Sequence, residues 1–320
     1  MKILISADHH IKLNTKNIPV DWAKNRFKLL FEQLHEIEKT VDMHILAGDF
    51  FDKMPSLEEL ELYYDFVSGC KCETWIIPGN HEALKKDTTF LTYLKNITNR
   101  LNEKVCIIDD YFSWNGVDFI PYNRLKDFEK NPKDFDSGYK LLVTHVRGEI
   151  PPHVKPEVDL SIFDSWETVF AGDLHSYANS QRNILYPGSP VTTSFHRGLV
   201  DTGVIIFDVD TSTHEFVKLD VPQLIRKTIQ AGEPMLPTEY HHTIYEIEGD
   251  MASLANIEDN ALMDKKVTKR SNDTALILSP EMTLEQEVQE YLSYILELPE
   301  DTVNKVLKTY NDHAKNIAVE

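Results

Sequence analysis

Five short clusters of metal-ligating side chains, each at the end of an apolar run, constrain this chain more than any other feature. They read Asp8-His9-His10, Gly48-Asp49-Phe50-Phe51-Asp52, Gly79-Asn80-His81-Glu82, Thr144-His145 and Gly172-Asp173-Leu174-His175. Taken singly each has an ordinary explanation, since a lone Gly-Asp is usually a turn and a lone His is usually structural. Five of them in this order, all at strand-like ends, are not independent turns. Carboxylates, imidazoles and an amide brought together suit two divalent ions about 4 Å apart, which can activate a water and stabilise charge on the attacking and leaving oxygens of a phosphate ester.

The apolar runs Ile3 to Ala7, His44 to Ala47, Thr74 to Ile77, Val105 to Ile108, Leu141 to Thr144 and Thr168 to Ala171 are short and β-rich, as buried strands are. Helix-like stretches lie between them at Asp21 to Thr40, Ser56 to Ser68 and Thr88 to Leu101. In the first, Trp22, Phe27, Leu30, Phe31 and Leu34 recur at helical spacing. Alternating strands and helices predict an α/β layered sandwich, two packed sheets flanked by helices. Ligands in such folds gather at the carboxyl ends of strands, where each cluster begins.

Gly203 to Val209 and His214 to Leu219 read as a hairpin finishing the sheet, with Asp210-Thr211-Ser212-Thr213 as its turn. The pattern changes at Val221-Pro222. Beyond it, strand candidates His242 to Ile247 and Thr274 to Leu278 lie around a helical piece near Met251 to Met263, which suits a small α+β capping domain. Two helices follow, Leu284 to Leu296 and Glu300 to Ala314, joined by Glu297-Leu298-Pro299, with the proline as an entry signal. The expected boundaries are residues 1–225, 226–280 and 281–320.

A formal charge of −19 argues against gripping nucleic acid through a broad basic face. It leaves room for a nuclease whose acidic ligands are offset by bound cations and whose phosphate contacts come partly from a basic partner. Cys70, Cys72 and Cys106 are an odd set that supports neither a disulfide framework nor a thiolate zinc site. The start MKILISADHH is too short an apolar run for a signal peptide, and no stretch approaches about 18 to 20 apolar residues. The expectation is a soluble cytoplasmic protein without membrane association.

Within the clusters, Asp8 and His10 are two apart, so at a strand end they point to one side and His9 to the other. Gly48 lets backbone and metal approach closely before Asp49. Asn80 can offer an amide oxygen while His81 stands free as an acid. His145, Asp173 and His175 supply the remaining ligands.

The order D-x-H, G-D-x-x-D, G-N-H-E, H and G-x-x-H resembles the calcineurin-like metallophosphoesterases. Ile120-Pro121-Tyr122, Tyr186-Pro187-Gly188-Ser189-Pro190 and the appended small domain resemble the SbcD nuclease branch of that family, which includes phage recombination nuclease subunits. The resemblance covers roughly residues 1–225 and extends to the rest only in layout. It implies one metal held by Asp8, His10, Asp49 and His175, and a second held by Asp49, Asn80, His145 and Asp173, with Asp49 bridging. The implied ions are two Mn²⁺, or Mg²⁺. His81 is implied to bind no metal and to protonate or stabilise the leaving 3′ oxygen. Asp52 is implied to hold a ligand or loop in place; a helix cap or surface acid is the alternative.

One position departs from the family, which usually has G-H-x-H where this chain has Gly172-Asp173-Leu174-His175. Asp8, Asp49 and Asp173 set three negative charges against four from two divalent ions, leaving about +1 where the usual set leaves about +2. Asp173 should favour harder ions such as Mn²⁺ or Mg²⁺, bound directly or through water. Arg147, Asn123 and Arg124 are candidates for phosphate contact, as are Lys12 and Lys16 for the DNA backbone; each also reads as an ordinary surface residue.

Leu284, Val288, Tyr291, Leu292 and Ile295 form one apolar stripe, and Val303, Val306, Leu307 and Tyr310 another. They describe a hairpin packed on its own domain or, as the resemblance implies, a segment docking on the coiled coil of an ABC-type ATPase subunit. By resemblance the chain is a Mn²⁺-dependent DNA nuclease, a 3′ to 5′ exonuclease on duplex and an endonuclease on single strands. It would be the homodimeric catalytic half of an SbcCD-like complex in DNA repair, recombination or replication. A phosphatase or cyclic-nucleotide phosphodiesterase is the alternative enzyme, weakened because Asp52 is followed by Lys53-Met54 and not Arg-Gly. A non-catalytic scaffold is the third reading.

Overall fold

Each of the apolar runs leading into a ligand cluster forms a strand. The computed structural model describes residues 1–320 except 86, 133–137, 269–281, 297 and 318–320. In chain order the first elements are β1 (Lys2–Ser6), α1 (Val20–Glu38), β2 (Met43–Ala47), α2 (Leu57–Gly69), β3 (Glu73–Ile77), β4 (Ala83–Lys85), β5 (Thr88–Thr89), α3 (Leu91–Leu101) and β6 (Val105–Ile107). Then come β7 (Phe112–Trp114), β8 (Val117–Ile120), α4 (Tyr122–Lys130), β9 (Leu141–His145), β10 (Thr168–Gly172) and β11 (Ile184–Leu185). The last are β12 (Gly203–Asp208), β13 (Thr213–Lys218), β14 (Leu224–Gln230), β15 (His242–Gly249), α5 (Met251–Ala255), β16 (Met263–Thr268), α6 (Leu284–Glu290) and α7 (Glu300–Ile317).

A six-stranded sheet runs β13-β12-β1-β2-β3-β6 and a five-stranded sheet β11-β10-β9-β8-β7. Strands β1, β2, β3 and β6 are mutually parallel, as are β8 to β11. The period of two along each strand decides what each face meets. Ile3, Ile5, Ile45, Ala47 and Ile77 pack with Phe119, Val143 and Phe170 between the sheets. Leu4, Leu46 and Ile76 instead meet Phe27, Leu30, Phe31 and Phe66 of α1 and α2. Leu142, Val169 and Ala171 pack with Leu125, Phe128, Phe163 and Trp166 on the outer side of the second sheet. Each such buried side chain contributes about 1.5–3 kcal/mol, and the result is the α/β sandwich with flanking helices expected from the alternation.

Several elements differ from the sequence reading. Thr88–Thr89 pairs with Ala83–Lys85, so α3 starts only at Leu91. Ile120-Pro121-Tyr122 spans a strand end and a helix start, with Pro121 directly preceding α4. The helical piece near Met251 stops at Ala255, and Met263 opens a strand. There the Asn260 side chain accepts the Leu262 N–H at 2.9 Å, a local bond that competes with helix. β14, β15 and β16 form a three-stranded sheet in that order. Thr274 to Leu278 lies outside the described residues.

The chain divides into two compact units, Met1–Ile247 with Glu258–Lys265, and Glu248–Ile257 with Lys266–Glu320. In the second, Thr283 and Gln286 form a capping box at the start of α6. A π-helical stretch, Tyr291–Ile295, follows it. The wider turn shifts the phase of an apolar stripe written for an α-helix. Val288, Leu292, Leu298, Val303 and Leu307 pack together, while Leu284, Tyr291 and Val306 are exposed. Among the described residues no helix is long and apolar enough to cross a membrane.

Candidate metal centre

The five clusters meet at the carboxyl ends of β1, β2, β3, β9 and β10. The backbone there is bent in an unusual way: Asp8, His10, Asp49 and Asp173 have φ of 55°, 45°, 52° and 97°. Left-handed backbone at a residue with a Cβ costs of order 1 kcal/mol or more, and it persists where its surroundings over-determine it. Here they do. Asp8 N–H donates to the Gly48 carbonyl and His10 N–H to the Asp49 carbonyl, each at 3.0 Å. Ser189 Oγ donates to the Asp8 carbonyl at 2.7 Å. The Asp173 N–H reaches both Asp8 carboxylate oxygens, at 3.0 and 3.2 Å.

Two glycines allow the loops to close on one another. A Cβ on Gly79 would collide with the Asp49 carboxylate, and one on Gly48, at φ 91°, with the His145 ring. Only a residue without a side chain fits either place.

Asp49 Oδ2 is the hub of the centre. It lies 3.4 Å from His145 Nε2, 3.7 Å from His10 Nε2 and 3.9 Å from His81 Nε2. His10 Nε2 is 3.9 Å from Asp8 Oδ1 and 3.0 Å from His175 Nε2. On the other side His145 Nε2 is 2.8 Å from Asn80 Oδ1 and 4.0 Å from Asp173 Oδ1. The His145 Nδ1–H donates to the Ala47 carbonyl at 2.9 Å, so a neutral ring presents a lone pair at Nε2. With His145 neutral, three acceptors would converge here, an arrangement that a divalent cation satisfies; without a cation, a proton on His145 Nε2 takes that place. Asp8, His10 and His175, and Asp8, Asp49 and His145, each bring one ligand atom within 4.8 Å of the others.

The electrostatics agree. Burial alone would raise the Asp49 carboxyl, yet His145, His10 and His81 hold it below the usual range. Burial would lower His145, but Asp49, Asp8 and Asp173 raise it well above an ordinary imidazole. Asp8 is pushed well up, by burial first and then by Asp49 and Asp173. Burial drives His10 down to about 3 and lowers His175. The buried acids therefore call for positive charge, and the protein itself offers it there chiefly by protonating His145. Cations bound among these oxygens and nitrogens would relieve all of these conflicts together.

His81 stands at the rim, its side chain 36% exposed. Its Nδ1–H donates to the Asp52 carbonyl at 2.5 Å, and its backbone N–H to Asp49 Oδ1 at 2.9 Å. Asp52 faces His10 Nδ1 at 3.7 Å and pairs with Lys12 at 2.7 Å; Ser56 and not Asp52 caps α2. Arg147 is at the rim as well but clasps Asp173. Arg124 and Asn123 are engaged away from the five clusters. Arg124 pairs with Asp110 at 2.9 Å, and Asn123 is buried, donating to the Asp109 carbonyl at 2.9 Å.

The sequence reading passes over three supports. Glu82 is buried and accepts the N–H groups of Asp49, Phe51 and Gly79 at 3.1, 2.9 and 2.8 Å, tying the second and third loops together. Burial and then Asp49 push its carboxyl up to about 7. Thr193 meets His175 Nδ1 at 3.0 Å, and Ser189 anchors the Asp8 carbonyl. Glu82 ends the G-N-H-E run and Ser189 lies in the Tyr186-Pro187-Gly188-Ser189-Pro190 motif, so both are visible in sequence without their roles; Thr193 carries no signal.

Residues 1–179 match the calcineurin-like phosphoesterase family. Over 327 residues the chain is 40% identical to the probable exonuclease subunit 1 of Escherichia phage T5, covering 99% of both proteins. It is 27% identical over 176 residues to the DNA double-strand break repair protein Mre11 of Methanocaldococcus jannaschii, covering 49% of this chain and 46% of that one. A solved archaeal phosphodiesterase is 16% identical, covering 68% of this chain and 100% of its own, with a TM-score of 0.40. The family match spans more than half of the chain and the phage relative nearly all of it; the chain belongs to the calcineurin-like phosphoesterases.

Proposed function

We propose that this chain is a metal-dependent DNA nuclease, and that its centre holds two divalent ions around Asp49. The observation that carries the reading is the position of Asp49 Oδ2, within 3.9 Å of three imidazole nitrogens from three different loops. Asp8, His10 and His175 would hold one ion; Asn80, His145 and Asp173 would hold the other; Asp49 would serve both. When bound, Mn²⁺ or Mg²⁺ would supply Lewis-acid stabilisation of phosphoryl charge and an acidified water.

The chain's own residues do the rest. The Ala47 carbonyl fixes the His145 ring so that Nε2 faces inward. The Asp52 carbonyl orients the His81 ring in the same way; in its imidazolium form the ring carries a second proton at Nε2, which it would hand to the leaving oxygen of the cleaved strand, ending neutral. The rim position of His81 admits a substrate, while Asp8 and His145 lie fully buried beneath.

DNA as substrate is supported by the phage relative, which is named an exonuclease subunit, and by Mre11, named for double-strand break repair. We infer the finer assignment from the same resemblance: Mn²⁺ as the working ion, 3′ to 5′ duplex exonuclease and single-strand endonuclease activity, and an SbcC-like ATPase partner. The exposed Leu284, Tyr291, Leu296 and Val306 in the C-terminal unit favour such a partner. The test is cleavage of end-labelled duplex and single-stranded DNA with Mn²⁺, Mg²⁺ or EDTA, beside a chromogenic phosphodiester. Cutting that needs Mn²⁺ and leaves defined ends supports the reading. Hydrolysis of the small diester with no DNA cleavage, also in the presence of an ATPase partner, replaces it with a small-molecule phosphodiesterase.

A further inference from the structure

Arg26 on α1 is a cation in an unusual place. It is 5% exposed, and among the described residues no carboxylate pairs with it. Its Nη2 donates to the Thr192 carbonyl and hydroxyl at 2.5 and 3.1 Å, and its Nε has no partner. The guanidinium also lies 5.6 Å from the Trp22 ring and 5.9 Å from the Phe27 ring. Burying a charge without a counter-charge is costly, and burial pushes this group down to about 9. A chain with excess acid could have placed a carboxylate here and has not.

Arg26 lines a small cavity of about 30 Å³ together with His10, Lys12, Thr15, Thr192 and Thr193. By the same measure a single water needs roughly 10–15 Å³, so the space holds a small polar group. The one acid at its edge, Asp52, is already engaged by Lys12 at 2.7 Å. Two of the walls belong to the metal centre. His10 faces His175 across 3.0 Å, and Thr193 meets the other nitrogen of His175 at 3.0 Å. A group seated against Arg26 thus shares the His10 wall with the candidate metal centre.

We infer that this cavity is a phosphate subsite, in which Arg26, Lys12 and the threonine hydroxyls receive the oxygens of a backbone phosphodiester next to the one that is cleaved. The identity of the strand rests on the nuclease reading above; the phosphate chemistry does not. Guanidinium and ammonium groups with hydroxyl donors are the set that recognises a phosphate. The anion would give Arg26 the counter-charge it lacks and free Lys12 to turn from Asp52. A strand held at this point would lie in fixed register over His10 and His175.

The test uses the full chain in EDTA, so that phosphate cannot bind through metal. Two readouts are taken on wild type, Lys12→Met, Arg26→Met and Arg26→Lys: the rise in thermal midpoint with inorganic phosphate, and the salt dependence of binding to a labelled single-stranded oligonucleotide. Phosphate should stabilise wild type and Arg26→Lys but not the two methionine variants. Both methionine variants should bind the oligonucleotide roughly tenfold more weakly, with a salt slope shallower by about 0.7 for the lost contact. A merely structural role for Arg26 would lower the midpoint without moving that slope. If Arg26→Met does not fold, Lys12→Met on the cavity edge and Arg26→Lys carry the experiment. Unchanged phosphate stabilisation and an unchanged slope in the folded variants overturn the subsite. Phosphate binding that depends on Arg26 in a protein that ignores the oligonucleotide keeps the subsite and sinks the nucleic-acid reading instead.

Discussion

Arg147 closes on Asp173 through two bonds, Nε to Oδ2 at 3.1 Å and Nη2 to Oδ1 at 3.2 Å. Asp173 is the residue at which this chain departs from the usual histidine of the family, and the arginine lies 26 positions before it. The bidentate pair fixes the plane of the carboxylate and places a permanent positive charge beside the position proposed for the second ion. Both oxygens of Asp173 are engaged, so an ion taken there must share them.

Arg147→Met is therefore expected to tighten binding of the second Mn²⁺ by roughly 3- to 10-fold, since a repelling charge is removed from a partly screened rim. Asp173→Asn should weaken the same step. Titration calorimetry resolves the two ions by stoichiometry. Weaker binding in Arg147→Met would mean that the arginine acts by orienting Asp173, and that its charge is secondary.

Glu82 accepts three backbone N–H groups in a site without water access, so its removal strands donors in two loops. Glu82→Ala should lower unfolding stability by roughly 2–4 kcal/mol, read from the urea midpoint at constant m-value. Glu82→Gln keeps one acceptor oxygen and should fall between. A loss no larger than an exposed substitution gives, within about 0.5 kcal/mol, would show that the loops are held by other means.

The parts of this molecule that are legible in sequence are those written locally. Buried parallel strands appear as unbroken apolar runs, and the ligands follow within two or three residues, so the loops around Asp8, Asp49 and Asn80 can be placed in order along the chain from the amino acids alone. The hairpin of β7 and β8 is also written locally, by Asn115-Gly116 with φ of 49° and 89°. Its strands are too short to carry a period. What stays hidden is partner choice across long separations. Nothing near Arg124 says that it belongs to Asp110, or near Arg147 that it belongs to Asp173. Arg26 reads as one more polar position on a helix until the Thr192 loop, 166 residues away, folds over it.

The acid side of the stability profile should depend on two groups outside the five ligand clusters, half-buried His35 and buried Glu38. His35 is lowered, mainly by burial, and its Nε2 meets the Phe66 carbonyl at 3.1 Å. Glu38 is held below its ordinary value, His44 at 2.8 Å and the Lys71 N–H at 2.7 Å outweighing its burial. In both cases the unfolded chain binds the proton more readily, so stability rises with pH through the window between the two pKa values. The His35 contribution should be present above about pH 6.5 and fade as pH falls below it. The Glu38 contribution should fade only below its unfolded value of 4.5. His35→Leu should flatten the profile between pH 7 and pH 5, roughly the His window, in urea melts. An equal slope in the variant would assign that loss to other histidines.

His81 should separate metal binding from proton transfer. Its Nε2 lies 3.9 Å from Asp49 Oδ2 and its ring packs edge-on against His10 with centroids 4.7 Å apart, while its backbone N–H bond to Asp49 Oδ1 does not need the imidazole. In His81→Gln both ions should therefore bind with nearly wild-type affinity by calorimetry, while DNA cleavage falls by roughly 10²- to 10⁴-fold, the range for a lost general acid. The leaving group provides the sharper test. A DNA 3′ oxygen departs as an alkoxide and needs a proton, whereas a nitrophenolate leaves without one. The variant should hydrolyse a nitrophenyl diester far less impaired than DNA, with the loss on DNA appearing in kcat and little of it in KM. Equal losses on both substrates would point instead to a His81 that positions phosphate or binds metal, and the role of leaving-group acid would pass to another residue.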